Sequence, residues 1–164
     1  MKKFIVFALV LSVMATFLIA CNKTPAQFKG EWKFSKISKV ELRSDLSEDT
    51  IADLKLVYGD EDVKGVEKNA LEKFTADGTF TPCYVNFESK FSYTYDPILE
   101  REATWVFYQT GDNEGFLSFY TELDAADGNP DPISHPSIVY NAENDTLLMT
   151  IYYIGFVVTI ELGR

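Results

Sequence analysis

Side chains that could do chemistry are few and scattered. The chain has one histidine, His135, between Pro132 and Pro136, and two cysteines, Cys21 and Cys83. One histidine with no second ligand nearby does not build a zinc site, which needs several nitrogen or sulfur donors. Asp124, Asp127 and Asp131 share a stretch with Gly128-Asn129. They lack the Asp-x-Asp-x-Asp-Gly spacing that brings calcium ligands to one point, and read as solvated loop acids. No Gly-x-Ser-x-Gly, phosphate loop or dinucleotide fingerprint occurs. Among 25 acids some pair will always look fit for glycoside hydrolysis, but their approach is a matter of fold. The expectation is therefore no catalytic residue, no metal, no cofactor and no enzyme. The informative surplus is aromatic. Phe91, Tyr93 and Tyr95 share one face of a strand, and Trp105 and Phe107 share one face of another, with Gln109 as its polar end. Such faces either fill a core or line a mostly apolar ligand cavity with a few polar handles.

The N-terminus sets the address. Lys2 and Lys3 precede Phe4 to Ala20, 17 uncharged residues interrupted only by Ser12 and Thr16. Residues 1–20 read as a secretion signal. The alternative, a transmembrane anchor, is at the short edge of the roughly 20 residues a bilayer needs, and no basic flank follows. Leu18-Ile19-Ala20-Cys21 resembles the lipobox of bacterial lipoproteins. The resemblance implies that Cys21 becomes the mature N-terminus, lipid-modified by a diacylglycerol thioether and an amine-linked chain such as palmitate, so that the protein is held on a membrane of the cell envelope. Asn22, rather than Asp, follows the cysteine. By resemblance to known sorting signals this favours the periplasmic face of the outer membrane over the inner membrane.

Composition narrows the partners. The chain carries a net charge of −10, and removing residues 1–20 takes away two lysines and no acid, leaving about −12. Phosphate binding needs clustered Lys and Arg, so nucleic acid is not an expected partner. An acidic globule is also repelled by an anionic membrane, which leaves anchoring to the acyl chains. Residues 21–27 read as a polar tether with Pro25 inside it, and residues 28–164 as one domain. A domain of that size buries roughly 68% of its unfolded surface and needs no disulfide staple. With Cys21 alkylated, Cys83 is expected to be a buried free thiol.

From Gly30-Glu31-Trp32 the chain runs on through Phe34, Ile37, Val40 and Leu42 between charged residues, as a long bulged strand with one wet face. A Gly-x-Trp opening the first strand, with Arg164 after the last, resembles the first signature and closing arginine of the lipocalins and of lipocalin-like bacterial lipoproteins. The resemblance implies an eight-stranded barrel whose closed end is plugged by Trp32 with Arg164 packed over it. The segment after this strand breaks the β pattern. Asp45 and Glu48 read as a capping box, Ile51, Leu54 and Tyr58 share a helical face and Gly59 can end the helix, giving a helix over 46–58. Val63, Val66, Ala70 and Phe74 repeat at helical spacing and suggest a second helix weakened by Gly65.

Beyond Leu71 the reading is β. A short strand at 71–75 and a hairpin over Phe74–Phe80, turning at Gly78, are followed by strands at 80–87, 91–95, 104–109, 116–123, 138–141, 146–153 and 156–162. The connectors are turn chemistry: Asp96-Pro97, Gly111-Asp112-Asn113, Asn144-Asp145 and Gly155. The expected class is mostly β, an antiparallel up-and-down barrel of about eight strands with one or two short helices after the first; a two-sheet sandwich is the alternative. Two functions fit. One is a binder or carrier of a small, largely apolar ligand, with Phe91, Tyr93, Tyr95, Trp105 and Phe107 lining the site. The other is an envelope interaction or inhibitor module that uses the barrel as a scaffold. A hollow lumen favours the first, and a filled lumen with an exposed apolar patch on the rim favours the second.

Overall fold

The structure, a computed structural model, describes residues 24–59, 61–88, 91–96, 100–119 and 135–164. The expected signal segment, Cys21 and most of the acidic stretch from Asp124 lie outside these residues. A short 3-10 turn, Ala26–Phe28, leads into β1 (Gly30–Leu42), α1 (Glu48–Tyr58), α2 (Val63–Ala76), β2 (Tyr84–Glu88), β3 (Phe91–Asp96) and β4 (Arg101–Gly111). Then come β5 (Glu114–Phe119), β6 (Ser137–Asn141), β7 (Thr146–Tyr153) and β8 (Phe156–Gly163). The strands form one closed antiparallel barrel in chain order, and β1 pairs with β8 to close it. It is not a sandwich. Closure leaves no unpaired edge strand, which is the physical advantage of a meander that returns on itself.

The 13-residue β1 serves two neighbours. Gly30 to Lys33 pair with β2, and Lys33 to Leu42 pair with β8. Register shifts between Phe34 and Lys36 and between Ile37 and Lys39 account for its pattern. Each shift adds a residue, so Phe34, Ile37 and Val40 stay on one face at a spacing of three that would otherwise suggest helix.

The hairpin expected at Phe74–Phe80 and the strand at 71–75 are corrected by the structure. Residues 71–76 are the last turns of α2, and Gly78, at φ 65°, ends it. Thr79 N–H donates to the Phe74 carbonyl and Gly78 N–H to that of Thr75, the paired bonds of a Schellman cap. A glycine that tolerates positive φ serves a hairpin turn or a helix end equally well, and the helical spacing from Val63 to Phe74 decides between them. The first sheet residue after this cap is Tyr84, so the strand expected from residue 80 is shorter. The cap of α1 also moves: Ser47 Oγ accepts from Thr50 N–H, while Asp45 takes both Arg43 guanidinium bonds instead.

Both chain ends of the barrel domain lie at one end, here called the base, where Gly30, Gly163 and the β4–β5 turn meet. The β1–α1 connection and the β7–β8 turn lie at the other, the mouth. α2 closes that mouth, with Val66, Ala70 and Phe74 buried along one face. Phe74 touches Phe80, Tyr153 and Phe156 edge-on, with ring centroids 5.5 to 5.8 Å apart. Replacing Phe74 by Ala is expected to lower unfolding stability by about 3–5 kcal/mol, read by urea denaturation of the soluble domain. A loss below about 1 kcal/mol would mean that α2 is not part of the core.

Candidate functional site

Three regions can be built from the residues upward: the base, the barrel interior and the mouth rim. At the base, Trp32 is fully buried and its Nε1 donates to the Phe28 carbonyl at 2.8 Å. The Arg164 guanidinium lies 4.4 Å from the Trp32 ring centroid, donates to the Gln27 carbonyl at 2.9 Å and stands 3.8 Å from Asp145. Gln27 in turn donates to the Asp112 carbonyl in the β4–β5 turn. Thr24 is buried, so the polar segment expected as a free tether over 21–27 is docked against the barrel from Thr24 onward.

The interior is occupied by side chains. Phe28, Phe87 and Phe107 form an aromatic cluster next to the base, with centroids 4.9 to 5.8 Å apart. Tyr58, Phe74, Phe80, Tyr153 and Phe156 form a second at the mouth. Between them Leu117, Ile138, Met149, Val158 and Ile160 are buried. An eight-stranded barrel has an interior just wide enough for side chains to fill or for one small ligand to occupy.

Trp105 and Phe107 point inward and are buried. Phe91, Tyr93 and Tyr95 do not: Tyr93 is 40% exposed, and Ser92 and Thr94, alternating with them, are the buried residues of β3. This corrects their assignment as lining residues. The reason is volume. Ser92 sits directly across from Trp105, and Thr94 Oγ1 accepts from Trp105 Nε1 at 2.8 Å, so small hydroxyl residues leave room for the indole and satisfy its donor. Ser92 Oγ is buried with no partner among the described residues. The phenol face of β3 turns outward.

The mouth rim carries what the sequence reading missed. α1 buries Leu54 against the β7–β8 turn, where a Cβ on Gly155 would stand 2.9 Å from Leu54 Cδ1. Leu56 on its opposite side and Val57 on its flank are exposed, at 84% and 68%. An open groove of about 490 Å³ runs along the Leu56 side, lined by Ala52, Lys55, Leu56, Gly59 and Glu61. Ile154, in the turn beneath α1, is 61% exposed. The signal in the sequence was that Leu56 and Val57 fall off the Ile51, Leu54 and Tyr58 stripe.

His135 is buried beside Phe116, with ring centroids 6.2 Å apart. Among the described residues no three His, Cys, Asp or Glu side chains gather as a metal ion would require. Also among these residues, no helix is long and apolar enough to cross a membrane. The chain matches no protein-family model, no curated protein and no solved structure.

Cys83 is buried and free. Burial, with a smaller push from the Asp96 charge, raises its thiol to about 12. The unfolded chain releases this proton near the ordinary thiol value of about 8.5 while the folded chain holds it, so the contribution is complete below that pH and is lost as pH rises toward 12. Stability of the soluble domain is therefore expected to fall more steeply above about pH 9 than that of Cys83→Ala. Ellman's reagent should find the thiol only on unfolding. Equal alkaline slopes, or full reactivity in the native state, would contradict this environment.

Proposed function

We propose that the chain is a lipid-anchored, lipocalin-like envelope lipoprotein that serves as a protein-interaction module, with its barrel as a rigid scaffold. One observation carries this reading: the mouth is plugged by α2 and the interior is packed by two aromatic clusters, while apolar residues are displayed on the outside of α1. The anchor and the display fit together. From Thr24 onward the chain is fixed to the base, so a lipid on Cys21 would be separated from the barrel by no more than about 10 Å of extended chain. The base would then stand on the membrane and the mouth would face the opposite direction, toward proteins in the periplasm.

A second reading, a carrier for a small apolar ligand, is favoured by Ser92 Oγ, a buried hydroxyl beside Trp105 without a partner among the described residues. Radioactive palmitate fed to cells is expected to label the full chain and not Cys21→Ser. Native mass spectrometry of the detergent-extracted protein should show a protein adduct at fixed ratio. Label on the Ser variant would overturn the anchor. A co-purifying small-molecule mass in place of a protein adduct would overturn the scaffold reading in favour of the carrier.

A further inference from the structure

We infer that the outer face of α1, together with Ile154 at the barrel rim, is the docking site for a basic, amphipathic segment of a partner protein; this rests on the scaffold reading above and names where and what it binds. The surface is apolar where a surface helix is usually polar. Leu56 stands free of the core on the side of α1 opposite Leu54, Val57 is exposed on the flank of the helix, and the groove between Ala52 and Gly59, which Leu56 lines, is large enough to take apolar side chains from a partner.

Charge selects the occupant. Glu48, Asp49, Asp53, Glu61 and Asp62 are all exposed around this patch, against Lys55 and Lys64. A second copy of the chain docked face to face would set these carboxylates against their own counterparts, and an anionic lipid surface would meet the same repulsion. A segment with apolar residues flanked by Lys or Arg meets complementary charge on both counts.

Ile154 adds an independent observation. It and Gly155 form the two-residue β7–β8 turn, with φ values of 45° and 81°. That geometry suits Asn-Gly, and a β-branched side chain at positive φ is strained. Ile154 is nonetheless 61% exposed, so at this strained position on the rim it adds apolar surface and no core packing.

The test uses the full-length, membrane-bound chain in cells that make it. A benzophenone side chain is placed by Leu56→p-benzoylphenylalanine or Val57→p-benzoylphenylalanine, and as a control at the exposed Lys39 on β1. Irradiation should give a discrete adduct with a different protein from positions 56 and 57 and none from 39. The crosslinked peptide should carry Lys or Arg beside apolar residues. Asp53→Asn combined with Glu61→Gln should lower the yield about fivefold, as expected for two weakened ion pairs. Ile154→Asn should lower the yield while raising Tm by about 2 °C, which excludes misfolding as the cause. An adduct with a second copy, with lipid or with an acidic segment, a yield unmoved by the charge variants, or no adduct from 56 and 57 would each overturn the site. In the last case, an adduct from Lys39 would leave the scaffold reading standing, and silence from all three positions would remove that as well.

Discussion

The seating of Phe74 among Phe80, Tyr153 and Phe156 is the contact on which the rest of the molecule depends. A closed eight-stranded meander has satisfied backbone bonds all the way round, but its two ends remain open to water unless something fills them. At the base the chain uses Phe28, Trp32 and the Arg164 guanidinium. At the mouth it uses an entire helix. α2 can do this because its Schellman cap at Gly78 turns the chain sharply and brings Phe80 back under Phe74 before β2 begins. With both ends closed, the inward face of each strand is core, and in the proposed reading function lies on the outside.

The two ends are built differently. The base gathers the N-terminal segment, the C-terminal residue and the β4–β5 and β6–β7 turns through Gln27, Arg164, Asp112 and Asp145. The mouth gathers α1, α2 and the strained β7–β8 turn. In the proposed reading this polarity separates attachment from recognition along the barrel axis. Acidity fits that reading, since a chain of net charge −10 is repelled by an anionic membrane, and attachment would fall to the proposed lipid alone.

Much of the fold was legible because its signals are periodic. The alternation of Phe156, Val158, Ile160 and Leu162 is the buried face of β8, and the Ile51, Leu54 and Tyr58 stripe is the inner side of α1. The errors came where one residue type serves two geometries. Gly78 could have turned a hairpin or capped a helix, and the helical spacing from Val63 to Phe74, which seats Phe74 in the mouth, decides. The same holds for β3, where alternation fixes two faces without saying which is inside. Phe91, Tyr93 and Tyr95 are the more hydrophobic set, yet the space beside Trp105 admits only Ser92 and Thr94. The rim patch was invisible for a related reason, because an apolar residue off the main stripe of a helix reads as noise until its exposure is known.

The central claim is that the barrel interior is filled and that recognition happens on its surface. Trp105 sits inside and Trp32 at the base, so tryptophan emission reports on the lumen directly. Titrating the soluble domain with fatty acids, quinones, haem and sterol-like compounds should leave that emission unchanged at all concentrations below nonspecific aggregation. A saturable change that disappears in Trp105→Phe would contradict the account and identify a ligand cavity in its place.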